Sequence, residues 1–203
     1  DNGCSPMADF AELKEAGHNP SYLFRGHKAD IYEGGHRIPL ILRWPARTPA
    51  GATCDDTVCL SDLLATCADI VGGDLPDSAG EDSVSNLPIW LGKDYTPPIR
   101  EATVHHSIDG SFSLRMGYWK LEMCPGSGGW SKGKDAHPAQ LYNLAEDYSQ
   151  ANDLAAEMPD RLRQLQDIYM VEAGSNKVFP IGGGLYTTVF APQEIKASTL
   201  TEW

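Results

Sequence analysis

With 203 residues, 41% of them apolar, the chain is long enough to bury a real core, and this excludes disorder throughout. Its 28 acidic and 16 basic residues give a net charge of -12, which argues against sequence-independent nucleic-acid binding. Any anionic ligand must therefore be held by local cations against a repulsive global field. No apolar run is long enough for a membrane span, which needs about 18 residues or more. The five cysteines, Cys4, Cys54, Cys59, Cys67 and Cys124, are odd in number and irregularly spaced, so they read mostly as buried free thiols. There is no basic, apolar leader. The chain opens on Asp1 without a methionine and reads as a fragment of something longer.

In chain order, residues 8–17 form a short helical pattern stopped by Gly17. An irregular stretch rich in Gly, His, Asn and Pro leads to a charged turn around Gly34-Gly35. These glycines allow a positive φ or a close backbone approach. Residues 38–44 are apolar except at Pro39 and Arg43 and predict a strand buried on both faces. Leu60, Leu63, Leu64, Cys67, Ala68 and Val71 fall at helical spacing, which predicts a helix over 58–71 closed by Gly72-Gly73. Residues 75–98 read as a connection with one apolar patch at 87–91, and a subdomain boundary is placed near residue 95. Strands are predicted over 102–106 and 112–123, joined at Asp109-Gly110, with a Gly/Ser/Lys loop over 124–138 and a third strand over 140–144. An amphipathic helix follows over 153–173, directing Leu154, Met158, Leu162, Leu165, Ile168 and Tyr169 inward. Residues 176–203, with a strand-like segment at 185–190, look like the start of a further extension.

The stretch Gly26-His27-Lys28-Ala29-Asp30-Ile31-Tyr32-Glu33-Gly34-Gly35-His36-Arg37-Ile38-Pro39 resembles the second signature of the type I sulfatases, the arylsulfatase-like family of the alkaline-phosphatase superfamily. Asp1-Asn2-Gly3 resembles the metal-ligand turn that precedes this signature by a few tens of residues. Two downstream stretches also match, Leu114-Arg115-x-Gly117-x-Trp119-Lys120-Leu121 and Leu141-Tyr142-Asn143-Leu144-x-x-Asp147, so the resemblance covers roughly residues 1–165. It implies an α/β, alkaline-phosphatase-like fold. Residues 1–95 would end the large mixed-sheet domain, 96–175 would form a small antiparallel carboxy-terminal subdomain, and 176–203 would be a truncated tail.

The resemblance also implies chemistry. Asp1 and Asn2 are hard oxygen donors suited to Ca²⁺ or Mg²⁺, with one Ca²⁺ implied, although Asp-Asn-Gly is also a common turn tripeptide. Lys28 is the expected catalytic residue, a compact cation that binds sulfate oxygens and neutralises charge on the leaving oxygen. Glu33 and Arg37 read as an internal ion pair fixing the turn. His27 and His36 flank the site. His105, His106 and Trp130 are candidates for substrate contact, Trp130 offering its face to a sugar or aryl ring or else packing on the subdomain. Cys4-Ser5-Pro6-Met7-Ala8 imitates the start of the Cys-x-Pro-x-Arg signature from which sulfatases make their formylglycine nucleophile. Ala8 stands where arginine belongs, so Cys4 reads as ordinary and the formylglycine is expected in a missing amino-terminal part. The chain then reads as the carboxy-terminal part of a sulfatase cleaving alkyl or aryl sulfates, inactive alone, acting on a small-molecule or glycan sulfate ester, and periplasmic or extracellular. Alternatives are a phosphonate or phosphodiester hydrolase of the same superfamily, and a non-catalytic module that binds sulfated glycans or serves structurally.

Overall fold

The computed structural model describes residues 2–131 and 138–174. Expectations for Asp1 and for residues 176–203 lie outside them. Four strands, β1 (Thr103–His106), β2 (Phe112–Met116), β3 (Trp119–Glu122) and β4 (Gln140–Asn143), form an antiparallel sheet in sequence order. The stretch predicted as one strand over 112–123 is two. A two-residue turn, Gly117-Tyr118, separates them, with Gly117 in the left-handed region at φ 55° and Met116 opposite Trp119.

Side chains alternate across a pleated sheet, and here the two faces have different chemistry. Val104, Leu114, Leu121 and Leu141 lie in one row of cross-strand partners, facing Leu165, Leu162 and Ile168 of helix α5 (Pro159–Gly174). Burying leucines such as Leu114, Leu121, Leu141 and Leu165 stabilises the fold by roughly 1.5–3 kcal/mol each. Proline begins this helix, where its missing N–H costs nothing. The opposite face presents Ser113, Arg115, Lys120, Glu122, Gln140 and Tyr142. It is equally withdrawn from water, because the turn that contains Ile31, Tyr32 and Glu33 packs onto it.

The amino-terminal half is built from short helices: α1 (Phe10–Glu15), α2 (Glu33–His36), α3 (Leu63–Val71) and α4 (Leu87–Leu91). The side chain of Asp9 caps α1 by accepting from the Glu12 N–H. The helix predicted from residue 58 begins with a 3₁₀ turn at Leu60–Asp62 and continues as α3. Its apolar side is open, Val71 being 80% exposed, whereas Thr66 and Asp62 are buried. The Asp62 carboxylate accepts from the backbone of Cys59 and Val84 and from Arg100, so it ties α3 to the segment before the sheet. The apolar patch at 87–91 is α4, not part of an irregular connection.

Two expectations are corrected. Residues 38–44 form no strand, and Ile41 is 89% exposed, because no neighbouring strand among the described residues offers a ladder or a second face. The cysteines are all free, but only Cys124 is buried, while Cys54 and Cys67 are exposed. Among the described residues no helix is long and apolar enough to cross a membrane.

Candidate active site

The charged turn is fixed by backbone packing before any side chain contributes. Gly34 and Gly35 do not use a positive φ; they permit close approach. A Cβ on Gly34 would lie 2.6 Å from the Arg25 carbonyl oxygen and closer still to that of Gly26, and one on Gly35 would collide with the Asp30 carbonyl. The opening segment is strapped alongside, with the Gly3 N–H donating to Gly35 O at 2.8 Å and the Lys28 N–H donating to Cys4 O at 3.0 Å. Asn2 and Lys28 are thereby held on one short stretch of surface. Lys28 itself sits between two unusual backbone positions, Gly26 at φ 79° and Ala29 at φ 83°. The second is strained for a residue with a Cβ. Among the described residues the Lys28 ammonium has no ion-pair or hydrogen-bond partner, so its charge is available to a ligand.

Glu33 is the electrostatic centre beneath the turn. Its Oε1 accepts from Lys120 Nζ at 3.0 Å, and its Oε2 accepts from Arg115 at 3.1 Å and from Arg37 at 3.2 Å. Burial alone would raise this carboxyl, but Lys120 and Arg115 outweigh it and hold Glu33 at about 2. Lys120 is fully buried and also donates to Ile31 O at 2.7 Å and to His36 Nε2 at 2.9 Å. Its ammonium thus has three acceptors, which is what a buried cation requires. His36 must be neutral to accept that bond; burial first, and then the charge of Lys120, press it well below its ordinary value. His105 stacks edge-on against His36 with ring centroids 4.1 Å apart and is pushed down to about 3 by burial and by Lys120.

A second layer lies under the first. The Glu33 N–H donates to Gln150 Oε1 at 2.8 Å, and Gln150 Nε2 donates to Glu122 Oε1 at 2.6 Å. Burial pushes Glu122 up to about 7, and its Oε2 has no partner among the described residues. A cavity of about 1020 Å³ opens above Glu33, His36, Arg37, His105 and Arg115, walled by Ile38, Leu42, Trp44 and other apolar groups.

The candidate contact residues fall in different places. His105 belongs to the polar sheet face beside His36, whereas His106 lies on the α5 side next to Phe112, with ring centroids 6.4 Å apart. Strand alternation sends the two histidines to opposite faces. Trp130 is 50% exposed on a loop pinned to the turn: the Ile31 N–H donates to Ser127 O at 2.8 Å, and the Ser131 N–H donates to Asp30 Oδ1 at 2.9 Å. Ser131 Oγ also meets His27 Nε2 at 3.2 Å. Trp130 therefore stands on a loop held against the turn and not within the sheet.

As a cation ligand set the described residues fit in part. Asn2 Nδ2 donates to Gly3 O at 2.8 Å, which fixes the amide and leaves Oδ1 as a hard oxygen donor. Among the described residues no group of three or more His, Cys, Asp or Glu could hold a metal.

Lys120, Arg115, Glu122 and Gln150 carry the buried network, and sequence reading gave none of them a role. One signal was present: in Trp119-Lys120-Leu121-Glu122 the charges alternate with apolar residues at strand period, so both charges share one face of the sheet.

No family model matches the chain. It is 35% identical over 179 residues to an N-acetylgalactosamine-6-O-sulfatase of Bacteroides thetaiotaomicron, covering 83% of this chain and 34% of that protein. It is 37% identical over 71 residues to the steryl-sulfatase of Homo sapiens, covering 35% of this chain and 12% of that protein. A solved structure of a sulfatase from a Bacteroides thetaiotaomicron glycosaminoglycan-metabolism locus superposes with a TM-score of 0.70 at 32% identity, over 82% of this chain and 35% of that one. The chain thus spans about a third of the length of this N-acetylgalactosamine-6-O-sulfatase. By sequence and by fold it belongs to the type I sulfatases of the alkaline-phosphatase superfamily and corresponds to the carboxy-terminal part of their α/β fold.

Proposed function

We propose that this chain is the carboxy-terminal part of a sulfuric ester hydrolase, in which Lys28 binds the sulfate oxygens and neutralises charge developing on the leaving oxygen. The observation that carries the reading is the joining of the two motif segments: the Lys28 N–H bonds Cys4 O while Gly3 bonds Gly35, so that Asn2 and an unpaired lysine share one surface. Asp1 and Asn2 would contribute oxygens to one divalent cation, Ca²⁺ by the hardness of the donors. Such a cation would supply Lewis-acid polarisation, and the formylglycine nucleophile would come from sequence outside these 203 residues. Glu33, Arg37, Arg115 and Lys120 hold the turn; Trp130, half-exposed on the loop bonded to it, would offer a ring face to substrate. Residues 1–95 would belong to the large domain and 96–175 to the small subdomain, in a periplasmic or extracellular enzyme. Likeness to a galactosamine 6-O-sulfatase supports a sugar O-sulfate, an alkyl sulfate, as the substrate class.

The experiment is steady-state kinetics on the sulfatase-length protein with an aryl sulfate, comparing wild type, Lys28→Ala and Lys28→Arg, with thermal melts alongside. Lys28→Ala should lower kcat by about 10² to 10³, with an unchanged melting temperature, because Lys28 fills no core position. Lys28→Arg should restore activity only in part, since a planar guanidinium replaces a point cation. Near-normal kcat and KM in Lys28→Ala would remove the assignment.

A further inference from the structure

We propose that Asp30 is a positioning residue for sulfate-ester cleavage: together with Ser131 it sets where Lys28 stands, a role that rests on Lys28 being the sulfate-binding cation. Lys28 and Ala29 form the tip of a small ring that Asp30 closes twice. Its carboxylate reaches back to accept from the His27 N–H through Oδ2 at 2.9 Å, and its own N–H donates to His27 O at 3.0 Å. Ala29, inside that ring, has φ 83°, a conformation that a residue with a Cβ keeps only where its surroundings impose it. Displacing either end of the ring displaces Lys28.

The surroundings that impose it are loops of the sheet, and they bond three consecutive residues. The Ile108 N–H, just after β1, donates to Ala29 O at 3.0 Å, and the Ile31 N–H donates to Ser127 O at 2.8 Å. Between them Ser131 grips both oxygens of Asp30, its N–H donating to Oδ1 at 2.9 Å and its Oγ donating to Oδ2. The His27 ring bridges the same groups, with Nδ1 3.0 Å from Lys28 O and Nε2 3.2 Å from Ser131 Oγ. Asp30 is only 4% exposed, and Gly129 lets the loop close on it: a Cβ there would lie 2.6 Å from Oδ1. An amide cannot replace this carboxylate. Whichever way an asparagine is turned, its NH₂ meets the N–H of Ser131 or that of His27, and a buried donor loses its acceptor. The lysine is thus aimed by a latch 101 residues further along the chain from Asp30.

The test uses the sulfatase-length protein and an aryl sulfate, well below the melting temperature of each variant. Asp30→Asn and Ser131→Ala are each made in wild type and in Lys28→Ala, and amide hydrogen exchange over residues 26–31 is followed by mass spectrometry. A misplacement of about 1 Å at a reacting group costs on the order of 10² in rate. Asp30→Asn should therefore lower kcat by about 10²-fold with a much smaller change in KM, and should speed exchange over 26–31. Ser131→Ala keeps the carboxylate and one of its bonds, so its loss should run the same way but be smaller; it decides the matter if Asp30→Asn does not fold. In the Lys28→Ala background neither substitution should slow the reaction further, because an aiming group then has nothing to aim. A merely structural role would lower kcat by the same factor in both backgrounds. That result, or unchanged kcat in the two single variants, overturns the proposal. Normal kinetics in Lys28→Ala would instead remove the role of Lys28, whereas unchanged exchange in Asp30→Asn would remove the clasp alone, so the two failures are told apart.

Discussion

Lys120 Nζ lies 3.0 Å from Glu33 Oε1, and both side chains are closed off from water. The pair is the junction between the antiparallel sheet and the turn that presents Lys28. Removing one member of a buried, hydrogen-bonded ion pair leaves the other uncompensated, at a cost of about 3–5 kcal/mol. Lys120→Met should destabilise the chain by that order in urea denaturation, and Lys120→Met/Glu33→Gln should recover part of the loss. A near-wild-type midpoint for Lys120→Met alone would show that Arg115 and Arg37 suffice.

Acid should unfold the chain in a way set by four buried groups. Glu33 is depressed from 4.5 to about 2, so its contribution is full above 4.5 and lost as pH falls toward 2. His105, depressed from 6.5 to about 3, and His36, also depressed, stabilise above 6.5 and lose that contribution as the pH falls. Glu122 runs the other way: raised from 4.5 to about 7, it favours the protonated fold and stabilises increasingly as pH falls from 7 to 4.5. Glu122→Gln should therefore raise stability at pH 8 and steepen the loss between pH 7 and 4.5. Melting temperatures across that range decide it, and a parallel displacement of the two curves would contradict the sign assigned to Glu122.

Gly34→Ala tests the backbone packing of the turn. Its new methyl would meet the carbonyls of Gly26 and Arg25, which are backbone and cannot swing aside. Overpacking of this kind costs about 1–3 kcal/mol, and the displaced turn should take Lys28 with it. Gly17→Ala is the control: it has a positive φ but open space around it, so only backbone strain should register.

Calcium should bind the chain weakly, because Asp1 and Asn2 supply few of the six or more oxygens such an ion takes. A calorimetric titration giving tight one-to-one binding would mean that a complete site exists within these residues.

The fold was legible where a single period ran unbroken. The α5 pattern placed Leu162, Leu165 and Ile168 on the sheet as expected, with Met158 partly exposed before the helix begins. The β2–β3 turn was missed although a signal existed: apolar residues at 112, 114 and 116 resume at 119, 121 and 123, a slip of one that a continuous strand cannot contain. Residues 38–44 and the α3 face carry the apolar surface of buried elements, but the described residues cover them only in part. The resemblance made Lys28 and the glycine pair visible. Of the buried network only the i,i+4 pair of Glu33 and Arg37 was visible; Lys120 and Glu33 meet across 87 positions, and no local pattern encodes which residues pair over such a distance.

That separation also has a kinetic meaning. Local backbone packing gives the turn its shape, but the cations that meet the buried Glu33 carboxylate from the sheet stand 82 and 87 residues further along, on the β2–β3 hairpin. Loop closure over such a span is unfavourable until the hairpin exists. The presenting turn should therefore lock after the sheet, and substitutions at Glu33 should accelerate unfolding while leaving the refolding rate nearly untouched, whereas Leu121→Ala should slow refolding.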